Sequence, residues 1–166
     1  IRFEGLDAST YDILRQLGEL EGVSAEKIQF ERARAFPMTE IAMEAFCGFV
    51  GMSPLRDCKA LDLSSLGMSG DVMTHFCDGL AHGLMPNLVA LNLAENRVGD
   101  VGMAEFGNAI ERKCPRNLEK LSLEENEIGD EGIKAFAEAV AICSLRSLKY
   151  LVLRTNNIRD AGMTAL

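Results

Sequence analysis

The sequence predicts a right-handed α/β solenoid, with a parallel sheet on its concave face and helices on its convex face. Two observations carry the prediction. An apolar frame recurs every thirty residues, and inside each unit the apolar spacing switches from a period of two to a helical period.

The repeat is plainest in the second half of the chain. Leu88, Leu91, Leu93, Asn96 and Val98 return thirty positions later as Leu118, Leu121, Leu123, Asn126 and Ile128, and again as Leu148, Leu151, Leu153, Asn156 and Ile158. Thirty positions before Leu88, the frame reads Cys58, Leu61, Leu63, Leu66 and Met68, with leucine in place of asparagine. Two weaker units precede these. Ile28 and Phe30 form the core pair of one strand and Ile1 and Phe3 that of another, at steps of 33 and 27 residues. The expected organisation is one domain over residues 1–166. Two degenerate repeats fill 1–57 and four regular ones fill 58–166, the last truncated.

Each unit opens as a strand. Leu121 and Leu123 alternate with Lys120, Ser122 and Glu124, so one face is buried and the other presented. A helix follows, because Ile133, Phe136 and Val140 share a helical stripe that recurs as Met103, Phe106 and Ile110, as Met73, Phe76 and Leu80, and as Met43, Phe46 and Val50. Met163 continues the methionine position of that stripe. One such unit cannot bury its own stripe, so neighbours stack, and the bulkier helices bend the stack with strands inside. The chain starts in a strand pattern at Ile1 and stops at Leu166, where earlier repeats carry Phe106 and Phe136, and neither end shows a polar capping repeat. A piece of a longer solenoid is expected.

Composition narrows the function. The chain is 48% hydrophobic and 25% charged, ordinary for a soluble fold, and no apolar run reaches the roughly 18 residues of a membrane span. A net charge of -8 opposes binding to nucleic acid and to anionic lipid. Five cysteines, without the spacing of a disulfide scaffold, fit reduced thiols in a cytoplasmic protein.

The conspicuous polar residues read as structure. Asn96, Asn126 and Asn156 end buried strands, where an amide satisfies backbone groups of the turn. Asp100, Asp130 and Asp160 stand two residues before a glycine at the helix start, where a carboxylate caps free N–H groups and opposes the helix dipole. His75 and His82 flank Cys77 at a spacing too wide for one zinc ion. Cys47, Cys77, Gly107 and Ala137 share a position where a small side chain is wanted beside the phenylalanines. The acidic run Glu124 to Glu131 lacks the alternating ligands of a calcium loop. No GxSxG, phosphate loop or HExxH occurs, so neither an enzyme nor a cofactor is expected, and no small-molecule substrate.

The segments LVALNLAENRVGDVGMAEF, LEKLSLEENEIGDEGIKAF and LKYLVLRTNNIRDAGMTAL resemble leucine-rich repeats, and their GD-x-G turn and long helix resemble the ribonuclease-inhibitor-like class. The resemblance implies a horseshoe fragment that binds a protein through its concave face. It also implies an alternative, regulation of a partner enzyme, as in the members of the class that activate small GTPases.

The side chains left for a partner alternate away from the core: Arg2 and Glu4; Lys27, Gln29 and Glu31; Ala60, Asp62 and Ser64; Ala90, Asn92 and Ala94; Lys120, Ser122 and Glu124; Tyr150, Val152 and Arg154. Glu95 and Glu125 make the edge at the strand exits acidic. The expected protein-binding residues are Tyr150, Arg154, Lys120, Glu124, Asn92 and Asp62. Tyr150 and Arg154 are the anchors, because Tyr and Arg dominate interface hot spots. On this reading the two lie roughly 7 Å apart along one strand face. Either Arg154 meets a partner or it merely neutralises Glu124 or Glu125 across the sheet.

Overall fold

The computed structural model describes residues 2–3, 26–30, 37–52, 57–113, 116–143, 145 and 147–166. Six strands lie in sequence order in one parallel sheet: β1 (Arg2–Phe3), β2 (Lys27–Phe30), β3 (Ala60–Asp62), β4 (Ala90–Asn92), β5 (Lys120–Ser122) and β6 (Tyr150–Val152). Between and after them, the described residues form helices α1 (Glu40–Met52), α2 (Gly70–Ala81), α3 (Gly99–Lys113), α4 (Asp130–Cys143) and α5 (Asp160–Ala165). This alternation is the leucine-rich-repeat solenoid. The thirty-residue step is the sheet register itself, with Leu61, Leu91, Leu121 and Leu151 side by side.

Strands β3 to β6 are three residues long, each with one leucine between two outward residues. The lateral ladder nevertheless continues beyond them: Leu63, Leu93 and Leu123 donate to the carbonyls of Asn92, Ser122 and Val152, and Ser65, Glu95 and Glu125 to those of Ala94, Glu124 and Arg154. The turn that follows needs a left-handed residue, and Ser65, Glu95, Glu125 and Thr155 hold φ between 53° and 57° there. A non-glycine residue in that region costs roughly 1–2 kcal/mol.

The asparagines hold this turn together. Asn96 accepts from the amides of Leu66 (3.1 Å) and Met68 (3.0 Å), and donates to the carbonyls of Leu63, Leu93 and Ala94. Asn126 and Asn156 repeat the pattern one and two units later. Each amide thus ties its own turn to that of the preceding repeat. Leu66, which replaces asparagine, is buried in the core instead.

Behind the sheet the phenylalanine ladder Phe46, Phe76, Phe106 and Phe136 is fully buried, and Phe106 stacks on Phe136 with ring centroids 6.1 Å apart. Met43, Met73 and Met103 lie in the same core, as do Ile28 and Phe30 of β2. Met163 departs from the expectation. It is 58% exposed, because the stripe of each helix is covered partly by the helix of the next repeat and α5 has none beside it among the described residues. Ile1 and Cys114 lie outside the described residues.

The aspartates also act differently from expected. Asp100 does not cap its own helix: its Oδ1 accepts from Gly129 N (2.6 Å) and Gly132 N (3.1 Å) of the following repeat. Asp130 likewise accepts from Arg159 N (2.7 Å) and Gly162 N (3.0 Å). The glycine is required by this approach, since a Cβ on Gly132 would stand 2.6 Å from Asp100 Oδ1 and 2.8 Å from its Cα. α2 shows the alternative. Val72 occupies the glycine position, and Ser69 caps the helix from within, accepting from Val72 N at 3.4 Å. Gly132→Ala is therefore expected to cost about 1–3 kcal/mol through forced separation of α3 and α4. A urea midpoint equal to that of the unaltered chain would show that the helices are not in such close contact.

Candidate protein-docking face

The parallel register assembles the outward side chains into rows running across the sheet. The first row, at the strand starts, is Lys27, Ala60, Ala90, Lys120 and Tyr150. The second is Gln29, Asp62, Asn92, Ser122 and Val152. Beyond the strands follow Ser64, Ala94, Glu124 and Arg154 at the next outward positions. Glu4 and Glu31 lie outside the described residues.

The six residues singled out from the sequence sort into three cross-strand pairs, one at each level. Lys120 places its Nζ 5.6 Å from the centre of the Tyr150 ring, a cation–π contact. Asn92 donates to Asp62 Oδ1 at 2.9 Å, and the Ser64 hydroxyl donates to the same oxygen at 2.7 Å. Arg154 Nε lies 3.5 Å from Glu124 Oε1. Tyr150 and Arg154 share a face but not a spot, since four residues at strand rise span about 13 Å, longer than the roughly 7 Å expected. Tyr150 is 60% exposed, while the Arg154 side chain is 79% exposed and that of Glu124 is 32% exposed.

Between these pairs the face sinks into a concavity of about 440 Å³, lined mainly by the first two rows and floored by Ala60 and Ala90. Small residues here are what make the surface hollow. A rigid backbone carries it, because every strand is bonded on both sides except the outermost two.

The other candidate groups stay apart. His75 contacts Glu40 at 3.4 Å and His82 contacts the Asp78 carbonyl at 2.7 Å, so neither turns toward Cys77. Among the described residues no group of three or more His, Cys, Asp or Glu could hold a metal ion. Cys58 and Cys77 are buried and Cys47 is half-buried. Burial pushes the Cys47 thiol up to about 12 and raises that of Cys58, which keeps both protonated and weakly nucleophilic. Among the described residues no helix is long and apolar enough to cross a membrane.

One feature had no sequence signal. A groove of about 510 Å³ runs between α1 and α2, lined by Glu44, Cys47, Gly48, His75, Asp78 and Gly79 among others. Glycines form it by what they lack, and only the packed helices reveal that Gly79 faces Cys47, whose Sγ would lie 3.0 Å from an added Cβ.

Residues 85–107, 114–137 and 144–166 match the family model described as Leucine Rich repeat. Among solved structures, that of leiomodin-1 actin-binding site 2 superposes with a TM-score of 0.70 at 14% identity, covering 95% of this chain and 85% of that one. The tropomodulin C-terminal domain of Caenorhabditis elegans superposes with a TM-score of 0.66 at 12% identity, covering 95% and 86%. At such identities the likeness is one of fold. No curated protein sequence matches the chain.

Proposed function

We propose that the chain is a protein-interaction scaffold, ribonuclease-inhibitor-like in its repeats, that docks a protein partner on the concave strand face. The hollow floored by Ala60 and Ala90 carries this reading. It is preformed on a bonded sheet about 24 Å wide, so a partner binds it without a large ordering cost. The leiomodin-1 structure that shares this fold is an actin-binding site, which makes actin the first partner to try.

Tyr150 and Arg154 are the proposed anchors. Tyr150 offers an exposed ring held by Lys120. The contact of Arg154 with Glu124 does not remove it from service, because so exposed an ion pair is worth only about 0–1 kcal/mol. With actin, or with a partner captured from a lysate of the source cells, Tyr150→Ala and Arg154→Ala are each expected to weaken binding by at least about 2 kcal/mol, roughly thirtyfold. Glu138→Ala on exposed α4 should leave the dissociation constant unchanged. The reverse pattern would place the working surface on the helices and sink the reading.

A further inference from the structure

Resting on the docking reading above, we infer that the partner protein seats one large apolar side chain, aromatic or branched aliphatic, in the hollow over Ala60 and Ala90. A charged side chain of either sign is refused there. Relief, polarity and charge each lead to that occupant.

Relief comes from the register. Along the first outward row the side chains run Lys27, Ala60, Ala90, Lys120 and Tyr150, so two single methyl groups lie between long side chains. From Lys27 to Lys120 is three strand spacings, about 14 Å. The space left between them is about 440 Å³, and a partner reaches its floor with a side chain that projects from its own surface.

Polarity selects what that side chain is. Leu61, Leu91, Leu121 and Val152 line the hollow together with the two alanines. The polar side chains at its margin are taken up by one another or by the backbone. Asp62 accepts from the Ser64 amide at 3.2 Å, the Ser64 hydroxyl at 2.7 Å and Asn92 at 2.9 Å, and Asn92 Oδ1 accepts from the Ala94 amide at 3.1 Å. Lys120 lies over the Tyr150 ring, and Lys27 is engaged as well. What the floor lacks is apolar cover, and a large apolar side chain placed on it releases water from both surfaces. A buried apolar anchor inside a polar rim is the usual arrangement of an interface hot spot.

Charge excludes the alternatives. An acidic side chain on the floor would come beside the Asp62 carboxylate and could not bridge two lysines about 14 Å apart. A basic one would face both Lys27 and Lys120. Either would leave water to meet a like charge, which is costly. Glu124 and Arg154 stand a row further on and meet each other, and the hydroxyls of Ser122 and Tyr150 are neutral.

The test is selection, on the folded chain, of a displayed library of cyclic peptides whose protruding central residue is Trp, Phe, Leu, Asp, Lys or Ser. Winners with Trp, Phe or Leu at the centre are expected, and alanine in its place should weaken their binding at least about thirtyfold. Ala90→Trp, which fills the hollow from an outward position, should abolish their binding, with Ala60→Arg as a second blocking variant and circular dichroism confirming both folds. Ala90→Asp should weaken them by at least about tenfold and move a repeated selection toward Lys at the centre. Winners that carry Asp, Lys or Ser there yet are stopped by a blocking variant, or apolar winners that bind the Ala90→Asp variant as before, would overturn this inference and leave the docking reading standing. A library that yields no binder stopped by either blocking variant would overturn the docking reading itself.

Discussion

Phe136→Ala is expected to lower the unfolding free energy by about 3–5 kcal/mol, while Glu138→Ala, two residues away, changes it by less than about 0.5 kcal/mol. Phe136 is 1% exposed and belongs to the aromatic ladder behind the sheet, stacked on Phe106 at an interplanar angle of 10°. Truncation to alanine removes the apolar transfer energy of a whole ring. It also leaves a cavity between two repeats that cannot close, because the strands on one side and the helix backbones on the other are held by hydrogen bonds. Glu138 is exposed on the same helix, so it reports the propensity of α4 without the packing. Urea denaturation of the two variants, with unchanged slopes, gives the comparison directly. Equal shifts in midpoint would mean that the buried and exposed sides of α4 are exchanged.

Asn96→Ala carries the second large effect, about 2–4 kcal/mol. Its cost arises from the groups left behind. The amides of Leu66 and Met68 both donate to Asn96 Oδ1, and no water reaches a side chain that is only 4% exposed. Two backbone donors are then buried without acceptors, each worth about 1–3 kcal/mol of desolvation. The damage falls mainly in the preceding repeat, which separates this mechanism from a simple cavity. Hydrogen exchange should show the Leu66 and Met68 amides losing protection more than those of helix α3. Loss confined to α3 would refute the assignment, as would a cost no larger than that of Asn108→Ala on the exposed helix surface.

Much of the fold was legible because its two periods are independent of detail. The alternation around Leu121 and the stripe through Phe136 survive in β2 and α1, where the repeat length drifts but Ile28, Phe30, Met43 and Phe46 remain buried. The rows of the concave face followed from the same arithmetic, since a constant step of thirty is a constant register. Side-chain choices within a row were less legible. Register brings Lys120 beside Tyr150 and Glu124 beside Arg154, but rotamers and local solvation decide that they touch. The direction of Asp100 was hidden for a different reason: its own helix start and that of the next repeat both present free N–H groups, and sequence distance favours the nearer one. Met163 misled because burial in a stack is a property of the neighbour as much as of the residue.

The aspartate of one repeat closing on the glycine amides of the next has a consequence for how the chain assembles. Asp100 holds Gly129 and Gly132, and Asp130 holds Arg159 and Gly162, always toward the C-terminus. The asparagine amides reach the other way, Asn126 to the Leu93 carbonyl and Asn156 to that of Leu123. The last two junctions are thus latched twice, by side chains pointing in opposite directions, and neither latch exists until both repeats are in place. Order spreads along such a chain in units of pairs, so a fragment that holds its shape needs at least two repeats, to share a latch as well as to cover the apolar stripe.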